Sequence, residues 1–285
     1  MIRNIDHANV IHYGSDSLII KSPSKDNGHQ VCLKIINEEF PSSELLSQLE
    51  NEFEICSKTK SSFIRKAIGK EKKDEHAALV LEYVPGKNLS KFIVDESPGL
   101  EKQLQLAVAI ATALYDLQKE NIFHGQLQSS NIIIENETDR PCLIDFGHAS
   151  IGNVYGTLQQ FSREKEIEHL AYIAPEQTGR INRPIDNRAD LYSFGVILYQ
   201  LFTGQLPFES DEALEMIYAH VAKTPEEPRR VNKDIPQAVS DIIMTLLSKN
   251  AEDRYQSAFG VKADLEKCLH QYQSHKRVDE FKLGS

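Results

Sequence analysis

The run FHGQLQSSNIIIENETDRPCLIDFG fills positions 123–147. Two short apolar segments, 131–134 and 142–144, read as strands around a polar turn. Side chains with chemical capability gather at their ends. His124, Gln126, Gln128 and Asn131 lie before or at the first, and Asp145 follows the second. Strand ends that present amides and a carboxylate to one place are where a scaffold carries a site.

Upstream the chain is strand-rich with one helix. Segments 17–21 and 31–36 read as strands around the polar turn SPSKDNG. Residues 43–58 carry helical spacing, with Leu45, Leu46, Leu49, Phe53 and Cys56 on one apolar face. AALVLEYV at 77–84 is a further strand, and Pro85-Gly86 ends it at a hinge. The run Lys70 to Glu75 reads as a solvated loop between strands. Downstream the pattern turns helical. Residues 101–119 are amphipathic, with Leu104, Val108, Ala111 and Tyr115 on one stripe. Further helices are expected at 188–202, 212–221, 238–248 and 259–272. The reading is an α+β, bilobal chain: a small β-rich lobe over 1–84 and a larger, mainly helical lobe over 85–275.

Composition bounds the function. The 285 residues carry 32 basic and 42 acidic side chains, a net charge of -10. Nucleic acid is disfavoured as a partner, because that contact needs a basic footprint. No apolar run reaches the roughly 20 residues of a spanning helix, so no membrane role is expected. MIRNIDHANV lacks the apolar core of a secretory signal. Four scattered cysteines, with no C-x-x-C pair, read as core thiols of a reducing, cytoplasmic compartment.

The ordered set is more specific than any one motif. VCLK at 31–34 sits on a strand, and Glu52 follows on a helix. His124-Gly125-Gln126, Asn131 and Asp145-Phe146-Gly147 come next. Ala174-Pro175-Glu176, Asp190 within a helix and Arg254 close the series. This order resembles the protein kinase family over nearly the whole chain. AYIAPEQTGRINRPIDNRADLYSFGVILYQLFTGQLPF at 171–208 and LLSKNAEDRYQSA at 246–258 are similar to the amino-terminal kinase-like domain of large bacterial signalling proteins. In that group an AAA-type ATPase, a GAF domain and a histidine kinase follow. The tail, 276–285, would then lead to further domains.

The resemblance implies a bilobal kinase-like fold, with ATP and Mg²⁺ as cofactors. It assigns Lys34 to the nucleotide phosphates and Glu52 to aiming it, with Glu50 and Glu54 as neighbouring alternatives. Asp145 and Asn131 would hold metal. Cys32 would touch the adenine, the backbone of Glu82 to Val84 would read its edge, and Leu81 would be gatekeeper. Gly14 would belong to the phosphate-covering loop 13–17. Cys56, His124 and Phe146 would form a packed column. Asp190 would fix the backbone around His124, and Arg254 would pair with Glu176.

Four positions depart from the family pattern. Gln126 stands where the catalytic Asp receives the substrate proton, and an amide cannot hold a proton near pH 7. Gln128 replaces a Lys that meets the transferring phosphoryl group. His169 replaces a Thr that bonds the catalytic Asp. The loop 13–17 has a single glycine and carries Asp16, which repels phosphate. Gly125 also replaces the Arg that clasps a phosphorylated activation loop, so Ser150, Thr157 and Ser162 read as plain loop hydroxyls. His7 and His12 read as surface or turn residues.

A positioned base contributes about 10²–10⁴-fold, and kinases turn over at roughly 1–100 s⁻¹. Loss of the base leaves about 10⁻⁴ to 1 s⁻¹. The expected function is therefore a pseudokinase that binds ATP and Mg²⁺. It would regulate or scaffold protein partners, or later domains of the same chain, in bacterial signal transduction. The alternative is a Ser/Thr kinase of low activity. A transferase moving another part of ATP is a third, thinly supported reading.

Overall fold

The computed structural model describes residues 9–14, 17–24, 28–38, 40–73, 76–152, 167–180 and 183–284. Five antiparallel strands form the amino-terminal sheet: β1 (Val10–Tyr13), β2 (Ser17–Pro23), β3 (Gln30–Ile36), β4 (Ala67–Lys73) and β5 (His76–Glu82). Their order is β1-β2-β3-β5-β4. The helix α1 (Ser43–Lys58) covers one face. In β3, Cys32 lies opposite Leu81 and Lys34 opposite Leu79. Residues two apart share a face of a strand. The β3–β5 face bearing Cys32, Leu79 and Leu81 packs on Leu49 of α1, while Leu33 and Ile35 pack with Leu18 and Ile20 behind. That alternation aims Lys34 at the helix.

Ser42 caps α1 by accepting from the Leu45 amide, and Lys58 stands in the last turn. Both terminal features favour a helix with these bounds. The buried face differs from the expected one. It is Leu49, Glu52, Ile55 and Cys56, whereas Leu46 is 42% exposed. A buried carboxylate displaces an apolar residue from the stripe because two cations await it. The run 70–75 is also corrected. Residues 70–73 belong to the edge strand β4, with Lys70 and Lys72 exposed on one face and Glu71 and Lys73 half-buried on the other; 74–75 lie outside the described residues.

The rest is mainly helical. The strands β6 (Gly86–Asn88), β8 (Ile132–Glu135) and β9 (Pro141–Leu143) form a small sheet, and β7 (Ile122–Phe123) pairs with β10 (Ser150–Ile151). Around them stand α2 (Leu89–Glu96), α3 (Leu100–Lys119), α4 (Ile167–Leu170), α5 (Arg188–Thr203), α6 (Ala213–Ala222), α7 (Pro228–Val231), α8 (Gln237–Leu246) and α9 (Ala258–His275). The helix α2, with Asn88 as its cap, escaped the sequence reading because it is only 8 residues long. In α3, Leu104 and Ala111 are buried as expected, but Ala107, Ile110 and Leu114 are buried as well. Packing against both α9 and α5 buries more than one stripe. All but three of the 16 residues of α5 are buried. Gly195 allows the approach of α8, since a Cβ there would lie 2.7 Å from the Leu246 Cβ.

After α9 the chain folds back. The Gly284 amide donates to Asp264 at 2.8 Å, and Phe281 and Leu283 pack on the helical core. Cys32, Cys56, Cys142 and Cys268 are free and buried. Among the described residues no helix is long and apolar enough to cross a membrane.

Arg254 and Glu176 form a buried two-pronged pair at 2.6 and 2.8 Å. Arg254 also donates to the carbonyls of Arg188, Ser248 and Lys249. Removing one partner of a buried pair leaves a charge without its counter-ion. Arg254→Ala is expected to cost about 3–5 kcal/mol in denaturant unfolding, and Lys58→Ala, in an exposed pair with Glu54, under about 1 kcal/mol. Equal costs would contradict this placement of the stability.

Candidate functional site

The site lies where β3, α1 and the segment after β9 meet. Lys34 Nζ donates to Glu52 Oε2 at 2.6 Å and to Asp145 Oδ1 at 2.7 Å. Glu52 is wholly buried, and its Oε1 accepts from the Arg65 guanidinium at 3.2 Å. Four charges thus run in a chain: Asp145, Lys34, Glu52, Arg65. The alternative Glu50 binds Lys70 instead. The alternative Glu54 pairs with Lys58. Burial pulls the Lys34 ammonium down, but the Asp145 and Glu52 carboxylates outweigh it and hold the pKa above its ordinary value. Burial pushes the Asp145 carboxyl up, yet the charge and hydrogen bond of Lys34 hold it well below the usual carboxylate range. Asp145 is also a non-glycine residue at φ 67. That left-handed backbone is uncommon and collects at functional sites.

Asn131 donates its side-chain N–H to the Gln126 carbonyl at 3.1 Å. Its Oδ1 is left as the acceptor end. With Asp145 this supplies two hard oxygen donors, a set suited to Mg²⁺ completed by water and phosphate. The Ile144 amide donates to the Asn131 carbonyl at 3.0 Å, which fixes Asn131 beside the Asp145 strand end. Among the described residues no cluster of three or more His, Cys, Asp or Glu stands at metal-ligand spacing.

His124 is a core residue. Its ring lies 4.6 Å from that of Phe146, and its Nε2 is 3.1 Å from the Ile144 carbonyl. Cys56 and Phe146 are fully buried in the same cluster. Asp190 receives the amides of His124 and Gly125 at 2.7 and 3.1 Å. Gly125 has φ +82, and a Cβ there would meet the His148 carbonyl at 2.7 Å. The backbone itself excludes an Arg at this position. Gln177 further ties the turn by donating to the Gly125 carbonyl. Ser129 and Tyr172 both donate to Gln200 Oε1 and fasten the same loop to α5.

Gln126 and Gln128 are half-buried. Gln128 Oε1 and His169 Nδ1 are both buried with no hydrogen-bond partner among the described residues. Burial, then the fields of His148 and His124, draw the His169 pKa down to about 4. The ring is neutral at pH 7. Cys32 and Leu81 are buried side by side across β3 and β5. The Glu82 amide is used by the Lys66 carbonyl at 2.9 Å. Gly14 lies in the β1–β2 hairpin, its amide bonded to the Ser17 carbonyl, while Ser15 and Asp16 are outside the described residues. Ser150 is in β10 with a buried hydroxyl, not in an open loop. Thr157, Ser162 and His7 lie outside the described residues; His12 is exposed on β1.

Two contributors were not foreseen from sequence. Arg65 is 3% exposed, and nothing in SSFIRKAIG marks a buried cation. Asn51 donates to the carbonyls of Phe146, Gly147 and Ala149. Its position beside Glu52 was the one available signal.

A two-lobed fold with a Lys34–Glu52 pair, a carboxylate, Asp145, after β9 and a turn anchored by Asp190 is the arrangement of a protein kinase fold. The family model for the protein kinase domain matches residues 6–270, and the chain belongs to that family. A probable serine/threonine-protein kinase of Clostridium acetobutylicum is 28% identical over 264 residues, covering 92% of this chain and 39% of that protein. The serine/threonine-protein kinase pkn3 of Myxococcus xanthus is 35% identical over 195 residues, covering 66% of this chain and 35% of its own length. The hybrid signal transduction histidine kinase G of Dictyostelium discoideum is 42% identical over 122 residues, 43% of this chain and 4% of that protein. The chain spans well under half the length of each.

Buried titratable groups set a pH profile. Burial lowers the pKa of His169 to about 4 and, with the Lys249 charge, that of His220 to about 3. Their stabilisation is present above the unfolded value of 6.5 and is lost as pH falls toward those folded values. Asp190 has the opposite sign. Burial pushes it up to about 7 against its two amide bonds, so its contribution is lost as pH rises through 7. Unfolding free energy is expected to peak between about pH 6 and 7, and His169→Asn to flatten the acid limb. A profile level from pH 4.5 to 8 would contradict these assignments.

Proposed function

We propose that this domain binds ATP with Mg²⁺ and acts as a pseudokinase, a regulatory or scaffolding module rather than an efficient phosphoryl transferase. The observation that carries this reading is an amide, Gln126, at the position of the proton-accepting carboxylate, beside an intact Lys34–Glu52 pair.

Lys34 would hold the phosphates. Asp145 would exchange its contact with Lys34 for the metal, with Asn131 Oδ1 as the second protein oxygen. Cys32 and Leu81 would bound the adenine, and the backbone from Glu82 to Val84 would read its edge. When bound, Mg²⁺ neutralises charge on the phosphates. An incoming hydroxyl still needs somewhere to send its proton. Neither Gln126 nor Gln128 accepts one, and the His169 ring, with its pKa near 4, is a weak base.

Relatives named as serine/threonine-protein kinases support the second reading, a slow Ser/Thr kinase. The placement of Lys34 and Asp145 alone supplies part of the catalysis in such sites. The likeness to a hybrid histidine kinase supports a role in signal transduction. Partners would be proteins or further domains of the same chain beyond 276–285, in the cytoplasm.

Labelled ATP with Mg²⁺ or Mn²⁺ and generic protein substrates separates the two. Turnover below roughly 10⁻² s⁻¹ is expected, with Gln126→Asp raising it about 10-fold or more. Transfer by the unaltered chain above that rate, abolished by Lys34→Ala, would establish the Ser/Thr kinase reading instead. In a parallel thermal titration, ATP with Mg²⁺ at 100 times its Kd is expected to stabilise the fold by about 2.7 kcal/mol. No shift at millimolar nucleotide would remove the ATP half of the proposal.

A further inference from the structure

In the family pattern quoted above, Glu52 has one cationic partner, Lys34. Here it has two. Arg65 reaches Glu52 Oε1 at 3.2 Å while Lys34 holds Oε2 at 2.6 Å. Arg65 is 3% exposed and Glu52 wholly buried. The other titratable groups acting on Arg65 are the thiols of Cys32, Cys56 and Cys142, on β3, α1 and β9. Burial raises the pKa of each thiol, that of Cys142 to about 12, so all three are uncharged at neutral pH. Glu52 is then the formal countercharge of Arg65 among the described residues. Arg65 Nε is buried with no hydrogen-bond partner among the described residues. Burying an imperfectly satisfied guanidinium is costly, and the pairing with Glu52 is what offsets it.

The backbone of Arg65 is fastened elsewhere. Its amide donates to the Leu143 carbonyl at 3.1 Å, two residues before Asp145, and the Leu143 amide donates back to the Phe63 carbonyl at 2.7 Å. Ile64 bridges Leu143 in parallel register. Arg65 therefore joins α1, through its side chain, to the β9 strand, through its main chain. Lys34 makes a different join, from α1 to β3 and the Asp145 carboxylate. The Arg65 guanidinium bonds Glu52 Oε1, whereas Lys34 bonds both Glu52 Oε2 and Asp145 Oδ1.

We propose that Arg65 is a second anchor for Glu52, one that keeps α1 docked on the Asp145 strand whether or not Lys34 is engaged. Arg65 is a positioning residue in this reading. The helix is held in one place, and a signal passing through the domain meets a fixed α1 rather than a swinging one. This inference does not depend on nucleotide binding.

Hydrogen exchange across α1 in the nucleotide-free protein tests it. Lys34→Ala alone is expected to change exchange of the 52–58 amides by less than about 3-fold, because Arg65 still holds Glu52. Lys34→Ala with Arg65→Leu is expected to speed it about 10-fold or more, with the α5 amides unchanged as a control for the overall fold. Lys34→Ala with Arg65→Lys, which restores a cation, is expected to recover much of the protection. If the Leu variant fails to fold, Arg65→Gln, which keeps an N–H donor without charge, takes its place and is expected to lie between. The proposal is overturned if Lys34→Ala alone frees α1 as fully as the double variant, or if the double variant leaves α1 as protected as the parent. Because ATP is absent throughout, a failure here leaves the pseudokinase reading standing, and a failure of ATP binding leaves this test intact.

Discussion

A carboxylate with no solvent contact must have its charge met from within the protein, and Glu52 is that carboxylate. Lys34 meets it from β3 and Arg65 from the segment just before β4. Because Lys34 also holds Asp145, the same charge fixes α1, the five-stranded sheet and the segment after β9 in one arrangement. Asn51, one residue before Glu52, adds neutral hydrogen bonds from α1 to the Phe146–Ala149 backbone. Glu52 thus ties the sheet, α1 and the segment after β9 together, while the helical lobe is held by the buried α5 and the Arg254–Glu176 pair.

The site carries its charge unevenly, with Lys34, Glu52 and Asp145 linked on one side and the neutral Gln126 and Gln128 on the other. The half that would hold a nucleotide retains cation, carboxylate and amide at matching places. The half that would act on an incoming alcohol has lost charge at Gln126 and Gln128 together. Gln128 Oε1 and His169 Nδ1 are buried with no hydrogen-bond partner among the described residues. Gly125 shows that the change extends to the main chain, since its φ of +82 and the nearby His148 carbonyl leave no room for a side chain.

Most of the architecture was legible in the sequence where periodicity was strong. The bounds of α1 coincide with the expected 43–58, since its cap and its apolar spacing agree. The strand β4 was not legible, because KEKK on an edge strand looks like a solvated loop until its partner β5 is known. The inward face of α1 was misjudged at Leu46 and Glu52 for a related reason. A charged residue enters a core only when a partner from a distant part of the chain is waiting. The partnership of Lys34, Glu52 and Asp145 could be anticipated from ordered motifs, whereas Arg65 could not. Its role depends on how residues 64–65 lie against β9, a contact across 78 positions of sequence that no local pattern reports.

The central claim is that the nucleotide half of the site works while the proton-accepting half does not. Phosphorus magnetic resonance of the protein with bound ATP and Mg²⁺, followed over hours, addresses both at once. The account predicts bound α, β and γ signals shifted from those of free ATP and constant in intensity. Steady decay of the γ signal into ADP and a new phosphoprotein resonance would contradict it.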